Sequence, residues 1–165
     1  MGFEDLDSVM ALERICFESP WAVEVFIREL GRPHAARYLV AERAGEVVGY
    51  IGAQLHPGEL HVANLAVSPF LRRQGLATLM LFTCIVEGVR RGVRWVTLEV
   101  RESNRPARNF YETFGFVEMG KRRGYYFDKG EDAVIMSTGD IREREYVELL
   151  AGIRESLGRK GARLP

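Results

Sequence analysis

The stretch NLAVSPFLRRQGLA (residues 64–77) passes from an apolar strand through a proline-marked turn, two arginines and a glycine into a long apolar helix. A strand that leads through such a loop into a helix N-terminus forms a phosphate site, because free backbone N–H groups and the positive end of the helix dipole meet there. The motifs GxxxxGK[ST] and GxGxxG, which bind nucleoside triphosphates and dinucleotides, are absent from the sequence. The remaining pattern, Arg72-x-x-Gly75-x-Ala77, predicts a site for another phosphate-bearing group.

The composition is that of one ordinary globular domain. The chain has 165 residues, of which 47% are hydrophobic, and this length suffices to bury a sizeable core. Lysine plus arginine and aspartate plus glutamate both number 23, so the formal net charge is zero. A nucleic-acid partner is therefore not expected, since such proteins carry a basic excess. The local basic cluster Lys121-Arg122-Arg123 is interpreted as solvated surface.

The two cysteines lie in apolar helical patterns and have no metal-site spacing with the three histidines. Cys16 and Cys84 are therefore interpreted as small buried hydrophobic residues, and neither a disulfide nor a metal is expected. The first residues are acidic and lack the apolar segment of a secretory signal, and no apolar run reaches membrane-spanning length. These features predict a cytoplasmic protein without a membrane partner.

Periodicity and turn residues predict the order ααβββαβαββ, a mixed sheet with helices on its faces. The first helix covers about residues 5–17, and Ser19-Pro20 starts the second as N-cap and first helical residue, with Gly31 at its end. The other predicted elements are strands at 38–42, 46–54 and 60–67, a largely buried helix at 75–91, a strand at 95–100, a helix capped by Asn104 and running to 114, and strands at 116–119 and 133–137.

The C-terminal segment differs from the rest of the chain in composition. From about residue 139 it is rich in charge, yet apolar residues keep helical spacing at Tyr146, Leu149, Leu150, Ile153 and Leu157. We therefore divide the chain into a domain at 1–138 and an amphipathic tail at 139–165, with residues 158–165 expected to be frayed. The apolar stripe either packs on its own domain or forms a face for a partner or for self-association. A monomer or a weak homodimer is expected.

Over roughly residues 1–138 the chain resembles the GNAT superfamily, and within it the group that acetylates ribosomal proteins at an N-terminal alanine. The motifs that carry the resemblance are SPW (19–21), NLAV (64–67), the loop at 72–77, LEVRESN (98–104), NFYETFGF (109–116), and GYY (124–126) followed by EDA (131–133). Each motif is weak alone, and their order and spacing make the match specific. It implies an α/β (α+β) acyl-CoA N-acyltransferase fold. Its mixed, mostly antiparallel sheet is flanked by helices and splayed between the strands that end near Val67 and Val100.

The resemblance implies acetyl-CoA as cosubstrate and no metal. The strand at Leu65, Ala66 and Val67 would bind the pantetheine arm and polarise the thioester carbonyl, while Asn104 caps a helix and also bonds the arm. A plain strand–loop–helix junction is the alternative for the glycine loop. Main-chain N–H groups of the loop and the first helical turn would bind the pyrophosphate, which gives a cofactor-binding set of Arg72, Arg73, Gln74, Gly75, Leu76, Ala77 and Thr78.

Two residues are candidate catalytic groups. Alternation places Glu99 on one face of its strand with Thr97 and Arg101, and alternation alone favours an outward-facing surface residue. By itself, Tyr111 is typical of a core aromatic residue with its hydroxyl at the edge. The resemblance implies instead that Glu99 is the general base, acting through a water, and that Tyr111 protonates the departing thiolate of the cofactor. An α-amine, with a pKa of about 7.7 to 8.0, needs less help from such a base than a lysine amine near 10.4.

The substrate side depends more on the resemblance than on the residues. Aromatic and proline side chains of the first interhelical loop and the last hairpin are expected to clamp a peptide N-terminus, or else they are ordinary loop packing: Phe17, Pro20, Trp21, Tyr125 and Tyr126. The resemblance implies acetylation of a protein N-terminus, with a ribosomal protein that begins with alanine as the leading substrate. Two alternatives stay open, an acetyltransferase for small amines and a non-catalytic CoA-binding module.

Overall fold

The computed structural model describes residues 1–159. Within this range the helices are α1 (Leu6–Cys16), α2 (Val23–Leu30), α3 (Leu76–Arg90), α4 (Arg105–Glu112) and α5 (Arg144–Arg159). The strands are β1 (Ala36–Arg43), β2 (Glu46–His56), β3 (Glu59–Val67), β4 (Trp95–Arg101), β5 (Val117–Tyr126) and β6 (Glu131–Ser137). Short 3₁₀ turns cover Phe3–Asp5 and Pro69–Leu71. The predicted order is confirmed, with α5 added at its end.

The six strands form one sheet in the order β1-β2-β3-β4-β6-β5. Among the described strands, β3 and β4 form the parallel pair, and the other neighbours are antiparallel. The parallel pairing begins at Glu59 and Trp95 and ends at Val62 and Leu98. Both strands continue beyond this point, so they diverge and leave a fork between them. The expected fold and the splay of its sheet are confirmed.

A β-bulge lies in β3 immediately beyond the last parallel pair. Asn64 is opposite Gly52 and Val62 is opposite Ala53, which leaves Ala63 as one extra residue. Because side chains alternate along a strand, one extra residue exchanges the two faces of the segment that follows. Val62 belongs to one core before the bulge, and Leu65 packs against that same core after it.

Two hydrophobic cores cover the two faces of the sheet. The larger core contains side chains from α3 and from alternate positions of β4, including Leu98 and Val100. The smaller core joins α1 and α2 to the other face through Val9 and Phe26. Glu99 lies between two residues of the larger core, so its side chain projects from the opposite face.

Helix α5 packs on the larger core. Tyr146 and Leu157 are buried in it, and Leu149 packs against it. Gly115 ends the turn before β5, where a Cβ atom would come within 3.2 Å of the Leu149 side chain. The apolar stripe of the tail thus contacts its own domain, while the boundary at residue 138 stays a prediction. Gly158 and Arg159 belong to α5, contrary to the expected fraying, and residues 160–165 lie outside the described range.

Two predicted elements have different bounds in the structure. Helix α2 begins at Val23 with Ala22 as its N-cap, so the prediction that Ser19-Pro20 starts it was wrong. The Ser19 hydroxyl instead donates to Asp128 Oδ2 at 2.7 Å, across to the turn between β5 and β6. Strand β5 runs from Val117 to Tyr126, because edge pairing with β6 recruits the polar and aromatic residues that were interpreted as a connection.

Candidate active site

The loop between β3 and α3 has a strained backbone. Gly75, the N-cap of α3, has a φ of 87°, a left-handed conformation that glycine adopts readily. Arg73 has a φ of 62°, which is uncommon for a residue with a Cβ atom. Strain of this kind is concentrated at functional sites, where it costs on the order of 1 to 3 kcal/mol per residue.

This loop leaves its backbone donors available. The N–H of Leu71 bonds to the Ser68 carbonyl at 2.9 Å, and the N–H of Leu79 bonds to the Gly75 carbonyl at 2.9 Å. Outside regular helices and strands, no described carbonyl accepts an N–H from residues 72–78. The Gln74 side chain accepts a hydrogen bond from Arg43 Nη1 at 2.8 Å. The loop therefore fits an anionic phosphate group, and its residues are contiguous, as predicted.

The free edge of β3 lies directly before that loop. Leu65, Ala66 and Val67 pair with β2 on one side and have no partner in β4 on the other. Two of their backbone groups nevertheless have side-chain partners. The Leu65 N–H donates to Asn64 Oδ1 at 3.0 Å. The Val67 carbonyl accepts from Cys16 Sγ at 3.5 Å and from Arg72 Nε at 3.4 Å. These side-chain bonds, which take the place of pairing with a neighbouring strand, could not be predicted from the sequence.

Asn104 caps α4, as predicted. Its Oδ1 accepts the N–H of Ala107 at 3.2 Å. This bond uses the side-chain carbonyl and leaves the amide NH₂ group for another partner. The structure therefore accommodates both expected roles of Asn104, of which the contact to a cofactor stays a prediction.

Glu99 lies one residue beyond the last parallel pair, at the apex of the fork. Its side chain is only 10% exposed, and its two oxygens face two different basic groups. Oε2 lies 3.1 Å from His61 Nε2, and Oε1 lies 3.1 Å from Arg122 Nη1. Hydrogen bonding to His61 lowers the pKa of Glu99, burial opposes that effect, and Arg122 adds to it. Glu99 is thus neither a free surface residue nor a core residue.

His61 and Arg122 were not identified as site residues from the sequence. From the sequence, His61 is a candidate only for metal binding, which its spacing excludes, and Arg122 belongs to a basic cluster typical of solvated surface. Arg122 is half exposed, but its guanidinium pairs with a carboxylate that is largely buried. Alternation along each strand could have indicated them in part, because it places His61 on the polar face of β3 and Glu99 on the polar face of β4. The parallel register that brings those strands together could not be deduced.

Tyr111 lies on the other side of the sheet, in the larger core. Its ring packs against Phe116 with centroids 5.6 Å apart. Burial raises the pKa of Tyr111, and the nearby Tyr126 adds to that rise, so the hydroxyl stays protonated at neutral pH. The Tyr126 hydroxyl reaches the Glu99 carbonyl oxygen at 3.5 Å. Tyr126 thus lies near both candidate catalytic residues.

A fully buried carboxylate, Glu13 of α1, supports the first interhelical loop. Its oxygens accept the N–H of Trp21 at 2.7 Å and the amide of Asn64 at 3.2 Å, together with a short bond from the Tyr50 hydroxyl. Burial raises the pKa of Glu13, and the bond from Tyr50 is the strongest of the three that oppose it. Glu13 was not identified from the sequence. A charged residue within the apolar stripe of a predicted helix could have indicated a buried polar site.

The two predicted substrate loops meet. The Ser19 hydroxyl bonds to Asp128, and Lys129 Nζ lies 2.5 Å from Glu18 Oε2, so the loop before α2 touches the turn between β5 and β6. The predicted aromatic residues divide into two groups. Phe17 and Trp21 pack against the smaller core, and Pro20 and Tyr125 are exposed. Tyr126 is half-buried beneath Arg101, whose guanidinium carbon lies 4.0 Å from the ring centroid.

The described residues contain no group of histidine, cysteine or acidic side chains that could hold a metal ion. Among them, no helix is long and apolar enough to cross a membrane. Both cysteines are free thiols. Burial raises the pKa of Cys84 to about 12 and also raises that of Cys16, so neither is an activated nucleophile.

The forked parallel pair and the helix-capping loop define the class of protein. The chain belongs to the acetyltransferase (GNAT) family, whose sequence profile matches residues 6–116. The protein is therefore an N-acetyltransferase, an enzyme of the acyltransferase class.

Relatives within that family are similar over most of their length. One protein of Bacillus subtilis (strain 168), named provisionally as a ribosomal protein bS18-alanine N-acetyltransferase, is 38% identical over 136 residues, which are 82% of this chain and 90% of that protein. The ribosomal protein bS18-alanine N-acetyltransferase of Escherichia coli (strain K12) is 36% identical over 81% of this chain and 90% of that protein. A crystal structure of the ribosomal-protein-S18-alanine N-acetyltransferase from Escherichia coli superimposes with a TM-score of 0.78 at 32% identity, covering 85% of this chain and 90% of that one.

Proposed function

We propose that this enzyme transfers the acetyl group of acetyl-CoA to the N-terminal α-amine of a protein, with a ribosomal protein that begins with alanine as the leading substrate. The observation that carries the proposal is Glu99, a largely buried carboxylate at the apex of a strand fork that opens beside a loop with free N–H donors. The relatives that act on ribosomal protein bS18-alanine support the choice of acceptor. With such a substrate, the enzyme would act in the cytoplasm.

The cofactor would lie along the free edge of β3 and end at the helix-capping loop. Residues 72–78 would hold its pyrophosphate, chiefly through backbone N–H groups and the N-terminus of α3. Leu65, Ala66 and Val67 would bond the pantetheine arm, and the Asn104 amide would reach it from the start of α4. The Leu65 N–H would exchange its bond to Asn64 Oδ1 for a bond to the acetyl carbonyl oxygen. A fixed donor there would stabilise that oxygen as it becomes negative.

Glu99 projects from one face of the sheet, and Tyr111 of α4 lies in the core on the other face. The two would then lie on opposite sides of the reacting carbonyl. Glu99 takes the proton from the α-ammonium group, directly or through a water. The protonated hydroxyl of Tyr111 bonds the departing sulfur and supplies its proton. The amine attacks directly, because neither buried thiol has the low pKa that an acyl-enzyme nucleophile requires.

The acceptor would enter between the two loops that Ser19 and Asp128 join. Trp21 is fixed through its backbone by Glu13, and Tyr126 is fixed by Arg101. These two aromatic residues would form the rigid part of the clamp. Pro20 and Tyr125 are exposed and would contact the residues that follow the acceptor amine.

A turnover screen tests the proposal. Purified enzyme is offered acetyl-CoA with peptides that differ in their first residue, and with polyamines, amino acids and aminoglycosides. We expect acetylation of peptides, with alanine favoured at the first position, and mass spectrometry locates the group on the α-amine. Activity confined to small amines would overturn the choice of acceptor. Binding of CoA without any turnover would identify a CoA-binding module instead.

A further inference from the structure

The Asn64 side chain joins the free edge of β3 to helix α1. Its Oδ1 accepts the N–H of Leu65 at 3.0 Å, and its Nδ2 donates to Glu13 Oε1 at 3.2 Å. Leu65 lies beyond the last pair of β3 and β4, so its N–H has no partner in β4. One end of this carboxamide therefore occupies a donor of the proposed cofactor edge, while the other end bonds to a buried carboxylate.

Both ends of the carboxamide fix its orientation. A carboxylate such as Glu13 only accepts, and its oxygens also take the Trp21 N–H at 2.7 Å and the Tyr50 hydroxyl. The NH₂ group of Asn64 must therefore face Glu13, and an oxygen must face the backbone N–H. Turning the amide over would place its oxygen against the carboxylate and its NH₂ group against another donor. Oδ1 is thus held at the fork.

Asn64 projects from the same face of the sheet as Glu99. Ala66, two residues further along β3, belongs to the smaller core, and alternation places Asn64 on that face. Glu99 projects from the face opposite the larger core, which is the same face. Because β3 carries Asn64 and β4 carries Glu99, the two side chains belong to the two arms of the fork. An amine that approaches Glu99 between these arms comes from the side on which Oδ1 lies.

We propose that Asn64 Oδ1 binds the α-ammonium group of the acceptor, and that it becomes free to do so when the acetyl carbonyl oxygen takes the Leu65 N–H. The proposal rests on the acetyl transfer proposed above and deepens it. Before the acetyl group arrives, Oδ1 is occupied by Leu65. Afterwards Nδ2 stays on Glu13, so Oδ1 remains at the fork without a donor. An acceptor in a half-buried site is unfavourable in that state.

The α-ammonium group provides the donor that Oδ1 then lacks. It carries three N–H groups, of which one faces Glu99 and a second can face Oδ1. A hydrogen bond from a charged donor is stronger than one between neutral groups. CoA without an acetyl group has no carbonyl oxygen to offer, so in its complex Oδ1 stays on the Leu65 N–H. Asn64 thereby favours binding of the acceptor to enzyme that holds acetyl-CoA over enzyme that holds the spent thiol.

Peptide affinity in the presence of two unreactive cofactor analogues tests the proposal on the wild type. In one analogue, a ketone, CH₂ replaces sulfur and the carbonyl remains; the other, S-ethyl-CoA, keeps sulfur and lacks the carbonyl. For a peptide that begins with alanine, we expect calorimetry to give a Kd about 10-fold lower with the ketone. The N-acetylated peptide is the control, since it lacks the ammonium group and should bind equally with both analogues. Equal Kd values for the free-amine peptide would overturn the proposal.

Asn64→Ala tests the residue itself. The Leu65 N–H then has no competing acceptor, so KM for acetyl-CoA should stay the same or fall, while KM for the peptide should rise about 10-fold. The matched control is Thr138→Val, because the buried Thr138 hydroxyl also accepts a strand N–H, that of Val96 at the start of β4, at 2.9 Å. Both KM values should be unchanged there. A rise in both KM values in Asn64→Ala, or an unchanged peptide KM, would refute the role.

Failure of this role is distinguishable from failure of the proposed function. Wild-type enzyme that acetylates no amine would overturn the proposed function. Wild-type enzyme that acetylates peptides, but binds them equally well with the ketone and with S-ethyl-CoA, would overturn the role of Asn64 alone.

Discussion

Val62 of β3 and Leu98 of β4 form the last pair of the parallel register, and Glu99 is the first residue of β4 beyond that pair. A strand that loses its neighbour exposes backbone groups and the side chains next to them. Here that point coincides with a largely buried carboxylate and with the free edge of β3. The end of pairing thus places candidate acid–base chemistry beside a candidate cofactor edge, and the following predictions test this arrangement.

Removal of either proposed catalytic group should slow turnover. We expect Glu99→Gln and Tyr111→Phe each to lower kcat by about 100-fold, the usual scale for general acid–base catalysis. Thiol release from acetyl-CoA in the presence of a peptide acceptor measures this. Glu46→Gln on an exposed strand position and Tyr146→Phe, whose buried hydroxyl has no partner among the described residues, are matched controls. Unchanged kcat in both catalytic variants would refute the roles.

The conformation of Gly75 should be necessary for cofactor binding. A Cβ atom at a φ of 87° is strained, so Gly75→Ala should shift the N–H groups at the start of α3. We expect KM for acetyl-CoA to rise about 10-fold, while KM for the peptide stays the same. Gly120→Ala is the control, because its φ is not positive and, apart from its chain neighbours, no described residue has an atom within 4 Å of the added Cβ. Equal KM values in the two variants would contradict a phosphate-binding loop.

Glu13 should be important for stability. Its removal by Glu13→Ala leaves the Trp21 N–H, the Tyr50 hydroxyl and the Asn64 amide without their acceptor in a buried site. We expect the free energy of unfolding to fall by on the order of 3 kcal/mol, as measured in urea. Glu155→Ala, on the exposed face of α5, should change it little. A loss as small as that of Glu155→Ala would show that the three donors find other partners.

The raised pKa of Glu13 predicts a sign for the pH dependence of stability. A carboxyl group whose pKa is higher in the folded state binds more protons there than in the unfolded chain. Stability therefore falls as the pH rises from the ordinary glutamate value, about 4.3, toward the raised one. We expect urea titrations of the wild type, relative to Glu13→Gln, to show this decline as the pH rises above about 4.3. Parallel curves would contradict the buried, desolvated carboxylate.

The contact between the two substrate loops should affect the acceptor only. Asp128 holds the Ser19 hydroxyl and Arg101, so Asp128→Asn weakens the connection between the loops. We expect KM for the peptide to rise several-fold, with KM for acetyl-CoA unchanged. The matched control is Asp140→Asn, because the Asp140 carboxylate likewise accepts from two side chains, Arg94 and Arg142, and belongs to neither loop. A rise in both KM values would indicate a general structural role instead.

The strand and helix order was predictable because periodicity is a local property. The caps at Gly31 and Asn104 are also local, and the structure has both. Strand β5 was too short in the prediction, because its outer part alternates charged, glycine and aromatic residues without an apolar face. Its partner β6 supplies the pairing that makes it a strand, and a partner is not a local property.

The same distinction between local and non-local properties explains which residues of the candidate site were predictable. Contiguous residues, such as those of the loop at 72–78, could be identified together from their spacing. Glu99 and Tyr111 required the resemblance, because alternation and ring packing each gave them an ordinary interpretation. His61, Arg122 and Glu13 were missed because their functional surroundings come from other elements. The sequence indicates which face of a strand carries each residue, but it does not specify the register of parallel neighbours.

The extra residue at Ala63 has a consequence for how the chain tolerates change. It exchanges the faces of β3 just where the fork opens, so the positions of His61 and Leu65 relative to each other depend on the number of residues between them. Side-chain substitutions at Ala63 leave that number intact, whereas loss of this one residue would exchange the two faces of the segment that follows, which carries the candidate cofactor edge. We therefore expect the protein to tolerate a substitution at Ala63 better than a deletion there.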